Sequence, residues 1–192
     1  MDMDAWDEND LVHRLKMGQD QAYAVLIHQY QSRLFNVIYG ITMDREESYD
    51  ILQDVFLKVY KNINQFEQKS GLYSWLRRIS INESLNWRRK VKRRFRFSHT
   101  AIEAMDLDQD PNLGNEDYGP ENLYNKKELE NAIKKELNYL PAEARTAFLL
   151  KETEGLSYDE IAKILKVKKG TVSSRIFYAR QRLKKAIAKL EE

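Results

Sequence analysis

The C-terminal part of this 192-residue chain carries the side chains best suited to chemistry. Turning by about 100° per residue from Val172, one side of a predicted helix carries hydroxyl, amide and aromatic groups, with cations on both flanks. The central residues are Ser173, Ser174, Phe177, Tyr178 and Gln181, and the flanking residues are Arg175, Arg182, Arg180 and Lys184. Such a surface suits the DNA major groove, because the centre can contact base edges while the flanks contact phosphates.

The charge of this region supports a nucleic-acid partner. Between Ile161 and Leu190 there are ten Lys or Arg and no Asp or Glu. A helix that is merely solvated usually mixes both signs, since opposite charges four residues apart stabilise it.

A helix-turn-helix is predicted to position this surface. Ser157 is followed three residues later by Glu160, which is the pattern of a capping box at a helix start. Gly155 is placed to end the preceding helix with a positive φ, and Gly170 falls in the turn or in the first turn of the last helix. Apolar residues of the last helix then recur at steps of three and four, and they are Val172, Ile176, Ala179, Leu183, Ile187 and Leu190. The second of two such helices is the one that enters the major groove.

A second basic block lies in the middle of the chain. Residues 71–97 contain nine Lys or Arg and one acid, Glu83, and aromatic residues alternate with the cations from Trp87 to Phe97. Cations follow a phosphate backbone and aromatic rings stack on unpaired bases, so this pattern favours single-stranded nucleic acid. The alternative is a basic helix end that only balances the acidic segment after it.

That acidic segment divides the chain. Residues 98–123 contain seven acids and no Lys or Arg, and two of the three prolines lie there. Low hydrophobicity and one sign of charge predict a flexible linker, because too little apolar surface can be buried to offset the entropy of ordering. We therefore expect domains at residues 1–97 and 123–192, joined by an acidic linker at residues 98–122.

Apolar periodicity predicts an all-α fold of two small helical domains. In the first domain we expect a helix capped by Asn9 or Asp10, one from Asp20 to about Ile41, one opened by Asp44, a loop at residues 64–71, and one from Leu72. In the second domain we expect helix from near Asn122 to Leu140 and a new helix after Pro141.

Enzyme and membrane classes receive little support. The three His lack metal-ligand spacing, and the sequence has no Gly-rich phosphate loop and no nucleophile elbow. Asp50 and Asp54, one helical turn apart, are a weak signal for a metal. We expect no catalysis, cofactor, metal or small-molecule substrate. The acidic start, the lack of any apolar run near the roughly 20 residues of a span, and the absence of Cys predict a cytoplasmic protein without membrane insertion.

Four motifs, in order over nearly the whole chain, resemble the group-four, extracytoplasmic-function sigma factors of bacterial RNA polymerase. LVHRLKMGQDQAYAVLIHQYQSRLF (Leu11–Phe35) is similar to the family's first conserved region, with Gln19 where Asp is usual. DILQDVFLKVYKNINQF (Asp50–Phe66) resembles the polymerase-binding helix of the sigma-2 domain, and LYSWLRRISIN (Leu72–Asn82) the helix that handles the −10 element. LSYDEIAKILKVKKGTVSSRIFYARQRLKK (Leu156–Lys185) resembles the sigma-4 helix-turn-helix.

The resemblance implies an alternative, stress-responsive sigma factor that binds core polymerase through its clamp helices and flap. It implies a polymerase-binding set of Asp50, Gln53, Asp54, Phe56 and Lys58. The set for the single-stranded −10 element is Glu67, Lys69, Ser70, Gly71, Asn82, Trp87, Arg88 and Arg89. The set for the duplex −35 element is Lys168, Lys169, Thr171, Ser173, Ser174, Arg175, Phe177, Tyr178 and Arg182. Some relatives carry Arg in place of Ser173 and Tyr178.

The resemblance also implies an anti-sigma factor as a partner, since members of this subgroup are often held by one between the two domains. A stand-alone helix-turn-helix regulator is the alternative function; it would explain residues 157–190 but neither the basic block at 87–97 nor the acidic segment. A pure protein-interaction bundle would leave both basic blocks unexplained.

Overall fold

In the first of the two compact units of the chain, which includes residues 6–97, two helices begin at an acidic side chain that caps them. In the computed structural model, which describes residues 6–97 and 120–188, Asp7 caps α1 (Glu8–Lys16) by accepting from the Asp10 amide at 2.8 Å. Asp44 caps α3 (Arg45–Asn62) by accepting from the Glu47 amide at 3.0 Å. Between them lies α2 (Asp20–Thr42), and α4 (Leu72–Phe97) follows. Side chains at residues 92, 94–97, 120–128 and 130 are outside the description.

The core of this unit forms because each helix presents one apolar stripe inward. Helix α2 packs against both α3 and α4, and α1 packs against α2. The fully buried side chains include Leu15, Leu26, Leu34, Val55 and Leu76. Ser80 and Ser84 are also buried, and each hydroxyl donates to the carbonyl one turn earlier, at 3.1 and 2.8 Å. These back-bonds satisfy the hydroxyls where small residues let α4 approach its neighbours.

The second unit contains the predicted helix-turn-helix. It comprises α5 (Pro120–Tyr139), α6 (Ala142–Glu152), α7 (Tyr158–Leu165) and α8 (Lys169–Ala188). Ser157 and Glu160 form the expected capping box, with the Glu160 amide 3.2 Å from Ser157 Oγ and the Ser157 amide 2.8 Å from Glu160 Oε2. Lys166 ends α7 in the left-handed region at φ 55°. Gly155 has φ 63°, the positive φ that the sequence predicted for it.

The second core lies between α8 and the other three helices. Ile161 of α7 and Ile176 of α8 are fully buried, together with Ala147 of α6. Helix α8 packs against α5, α6 and α7, so three neighbours fix its orientation within the unit. Rigid support of this kind keeps the opposite face of α8 available for a partner.

The all-α prediction is confirmed, and the described residues contain no strand. Several boundaries differ from expectation. Asp7, not Asn9 or Asp10, caps α1. The loop starts at Phe66 rather than Asn64, because Ile63–Gln65 form a 3-10 turn. Helix α5 begins at Pro120, because proline is favourable in a helical first turn; residues 120–122 of the expected linker are therefore helical, while 98–119 lie outside the described residues. No helix in the described part is long and apolar enough to cross a membrane.

Candidate nucleic-acid interface

One face of α8 carries the residues expected to contact duplex DNA. Val172, Ile176, Ala179 and Leu183 are buried, while Ser173 and Ser174 on the other side are exposed. Phe177 is 64% exposed and Tyr178 43% exposed, so both aromatic side chains face solvent. Ser174 Oγ donates to the Thr171 carbonyl at 3.0 Å, which fixes the hydroxyl while its oxygen can still accept. Gly170 lies in the first turn of α8.

Several cations around this face are bound to acids of the same unit. Arg182 donates to Glu136 of α5, and Arg180 donates to Glu152 of α6 from Nε at 3.0 Å and Nη2 at 2.6 Å. The hydrogen bond to Glu136 raises the pKa of Arg182, with a smaller contribution from Tyr178, and the hydrogen bond to Glu152 likewise raises the pKa of Arg180. Lys169 lies 2.8 Å from Asp159. Lys168 is exposed, and Thr171 and Arg175 are half-buried at the edge of the face.

The loop before α4 collects the first part of the expected −10 set. Glu67, Lys69, Ser70 and Gly71 are all exposed, and Lys69 Nζ lies 2.5 Å from Glu67 Oε2. Gln68 has φ 55°, a left-handed conformation that is uncommon for a residue other than glycine. Phe66 is buried beneath the loop, with its ring centroid 5.2 Å from that of Trp75. The loop thus presents polar groups outward from an aromatic base.

The rest of the expected −10 set is spread along α4. Asn82 is exposed ten residues after Leu72, which is about 15 Å along the helix axis, and Arg89 lies two turns further on the same face. Arg89 Nη1 donates to Asn86 Oδ1 at 2.8 Å. Trp87 is about 140° round the helix from Asn82 and packs in part against the core, and Arg88 is half-buried. Asn82 and Arg89 therefore form one exposed stripe, and Trp87 lies away from it.

An aromatic and cationic cluster beside the start of α4 escaped the sequence reasoning. The Arg33 guanidinium lies 3.7 Å from the centroid of the Tyr73 ring, and the Arg77 guanidinium lies 5.6 Å from it. The Tyr30 ring stacks on the Tyr73 ring, with the two centroids 6.1 Å apart. Arg33 and Tyr30 come from α2, and no periodicity within α4 could have identified them.

The expected polymerase-binding set falls into two groups on α3. Asp50, Gln53 and Asp54 are exposed on one face. Phe56 instead packs partly against the core, and Lys58 Nζ is ion-paired with Glu83 of α4 at 2.6 Å. Leu57, which is 55% exposed, lies on the same face as these acids, and the sequence analysis did not single it out. Its exposure could be predicted, because it is out of phase with the buried stripe of α3.

Among the described residues, no group of three or more His, Asp or Glu is arranged to hold a metal ion.

Comparison with known proteins matches both units. The family model for sigma-70 region 2 matches residues 26–94, and that for sigma-70 region 4 matches residues 130–183. The chain is 33% identical to the RNA polymerase sigma-H factor of Pseudomonas aeruginosa, over 95% of each chain. It is 35% identical to the extracytoplasmic-function RNA polymerase sigma-E factor of Escherichia coli K12, over 89% of each.

Two solved structures also share the fold of this chain. The sigma factor RpoE of Bartonella quintana, in complex with the anti-sigma factor NepR, has a TM-score of 0.62 and 28% identity, covering 84% of this chain and 94% of that one. CnrH, in complex with the cytosolic domain of CnrY, shares the fold with a TM-score of 0.58 at 18% identity, over 94% and 97%. A stand-alone helix-turn-helix regulator would not account for the region 2 match. The chain belongs to the extracytoplasmic-function sigma factors of the sigma-70 family, alternative sigma factors that direct transcription initiation by RNA polymerase at promoter DNA.

Proposed function

We propose that this sigma factor reads promoters with two separate surfaces, a duplex reader on α8 and a single-strand reader at the loop before α4. In this proposal residues 1–97 bind core polymerase and the −10 element, and residues 123–192 bind the −35 element. Residues 98–122 join them. The observation that carries the proposal is the exposed face of α8, since Phe177 and Tyr178 are solvent-facing on a helix whose other side is fully packed.

The duplex reader combines neutral and charged contacts. Ser173, Ser174, Phe177 and Tyr178 would face base edges and thymine methyls, while Arg175, Lys168, Lys169 and Thr171 would contact the phosphates. To contact a phosphate, Arg182 would have to leave Glu136. If the pair persists, that flank of the reader stays electrically neutral. A neutral centre predicts that this chain's −35 preference departs from that of relatives with Arg at positions 173 and 178.

The single-strand reader combines the loop before α4 with a basic helix. An extruded base would enter beside Glu67, Lys69, Ser70 and Gly71, and cations of α4 such as Arg89 would follow the strand. Asn82 would contact a nucleotide further along α4, given its distance from the loop. Capture of unstacked bases contributes binding free energy to strand opening. In this proposal the factor itself makes and breaks no covalent bond.

The polymerase dock is proposed to be the face of α3 that carries Asp50, Gln53, Asp54 and Leu57. An apolar residue next to two acids and an amide suits a basic partner helix, and the resemblance assigns this contact to the clamp helices of polymerase. Phe56 and Lys58 would then act from behind this face, by packing and by pairing with Glu83. In the second unit, an apolar groove of about 550 Å³ lined by Ile133, Phe148, Leu183 and Ile187 suits the polymerase flap.

An anti-sigma factor is proposed as a further partner, because RpoE of Bartonella quintana was solved with NepR bound. A cytoplasmic location follows from the partners, since polymerase and promoter DNA are found there. The sigma factor is proposed to act by binding rather than by catalysis.

Photo-crosslinking tests the two-surface proposal. A photoreactive phenylalanine derivative is placed at Phe177 or at Ser70, and each variant is assembled with core polymerase on promoter DNA. We expect crosslinks from position 177 to duplex near −35, whether or not the promoter has opened. Crosslinks from position 70 should reach only the non-template strand near −10, and only after opening. Crosslinks from both positions to one element would refute the proposal.

A further inference from the structure

Three side chains of α1 hold the loop before α4. Glu8 Oε1 accepts from the Leu72 amide at 2.8 Å, Gln68 Nε2 donates to Asn9 Oδ1 at 3.1 Å, and Lys16 Nζ donates to the Phe66 carbonyl at 2.8 Å. The partners are 50 to 64 residues apart in the chain. Together they contact the start, the middle and the end of residues 66–72.

Glu8 supplies what the loop's own sequence lacks. A helix start leaves backbone amides without partners, and the residue before α4 is Gly71, which has no side chain with which to cap. The Glu8 carboxylate takes that place from another helix, and its negative charge favours the positive end of the helix dipole. Its oxygens lie 3.7 and 3.8 Å from where a Cβ on Gly71 would be, so the loop passes close against it.

Asn9 and Lys16 fix the rest of the loop. Gln68 adopts a left-handed backbone at φ 55°, which costs free energy unless its surroundings stabilise it. The hydrogen bond from its side chain to Asn9 supplies part of that stabilisation. Lys16 anchors the carbonyl of Phe66, where the chain leaves the core. Since the exposed loop has no helix or strand of its own from Phe66 to Gly71, its shape depends on these contacts.

We infer that Glu8, Asn9 and Lys16 are positioning residues for −10 base selection, acting through the loop at 66–71. This inference rests on the proposed role of that loop. Base discrimination requires the capturing groups to be held within about half an ångström, and here α1 holds them. Helix α1, which is not proposed to contact DNA, therefore determines how strongly the preferred −10 base is favoured over the other three.

The test measures base discrimination by the holoenzyme. Core polymerase with the wild-type chain, Glu8→Ala, Glu8→Gln or Asn9→Ala is titrated with single-stranded −10 oligonucleotides bearing each of the four bases at the captured position. We expect Glu8→Ala to reduce the ratio of preferred to non-preferred affinity about fivefold. Glu8→Gln, whose amide oxygen can still accept, should restore most of it. Asp10→Ala, an acid of the same helix that faces Arg14, is the matched control and should match wild type.

A purely structural role would lower the affinity for all four bases equally and would also weaken core binding; that result would overturn the inference. So would a wild-type ratio in both Glu8→Ala and Asn9→Ala. If the wild-type holoenzyme does not discriminate at all, the proposed role of the loop fails with it. Hydrogen exchange on the free chain separates the cases, because the Leu72 amide should exchange faster in Glu8→Ala whatever the loop binds. An unchanged exchange rate of the Leu72 amide would show that Glu8 of α1 does not hold the loop.

Discussion

Arg182 of α8 donates from both Nε, at 3.2 Å, and Nη2, at 2.9 Å, to the same carboxylate oxygen of Glu136 in α5. The pair crosses 46 residues of sequence and lies on one flank of the proposed duplex reader. It neutralises a cation that the sequence alone assigned to DNA. Phosphate and Glu136 therefore compete for one guanidinium.

Glu136→Ala should release Arg182 and raise the affinity of the holoenzyme for any duplex. The logarithmic salt dependence should steepen by up to about one ion, with little gain in preference for the −35 sequence. Salt titrations of duplex binding measure this. In Glu136→Ala/Arg182→Ala the gain should vanish, as a double-mutant cycle requires. A gain that persists in the double variant would show that Glu136 acts through another group.

Arg175→Ala should weaken binding to −35 promoters and lower the salt slope by about one ion. Arg175 is half-buried at the edge of the α8 face, where its stem is supported and its guanidinium can reach a phosphate. The measurement is the slope of log affinity against log salt concentration on one promoter. An unchanged slope would remove Arg175 from the phosphate contacts.

Gln53→Ala/Asp54→Ala and Leu57→Ala should each weaken association with core polymerase, by at least about fivefold, and leave the melting temperature nearly unchanged. All three side chains are exposed, so truncation opens no cavity. Competition for core against a labelled sigma factor gives the affinities. His28→Ala, an exposed residue of α2, is the control. Wild-type affinity in both variants would move the polymerase dock away from this face.

Ser157→Ala should destabilise the second unit by about 1 kcal/mol, because it removes one half of the capping box. Urea unfolding of the full chain, followed at residues of the second unit, measures the change. Binding to −35 duplex at low temperature should persist, since Ser157 is a cap and not a contact. Loss of DNA binding without loss of stability would assign Ser157 a direct role.

The sequence predicted what local physics determines. The capping box at Ser157 and Glu160, the turn at Gly155 and the buried stripe of α8 depend on neighbours a few residues apart. All-α architecture followed from the same periodicity. The exposure of Leu57 could have been read from its phase on α3.

Contacts between residues that are far apart in the chain could not be predicted from the sequence. The pairing of Arg182 with Glu136, of Lys58 with Glu83 and of Leu72 with Glu8 depends on how the helices pack, which composition does not specify. The expected capping of α1 by Asn9 or Asp10 was wrong because Asp7 lies one turn earlier and adopts the extended backbone that a cap requires. Asn9 is engaged instead with Gln68.

Transcription by core polymerase and this chain on a random promoter library, with the initiated templates sequenced, tests both proposed readers at once. A sigma factor with two readers should enrich two elements at fixed separation, near −35 and −10. Arg175→Ala should blur only the first element, and Glu8→Ala only the second. Enrichment of a single duplex element, or tight duplex binding by the chain alone without association with core, would contradict the two-reader proposal.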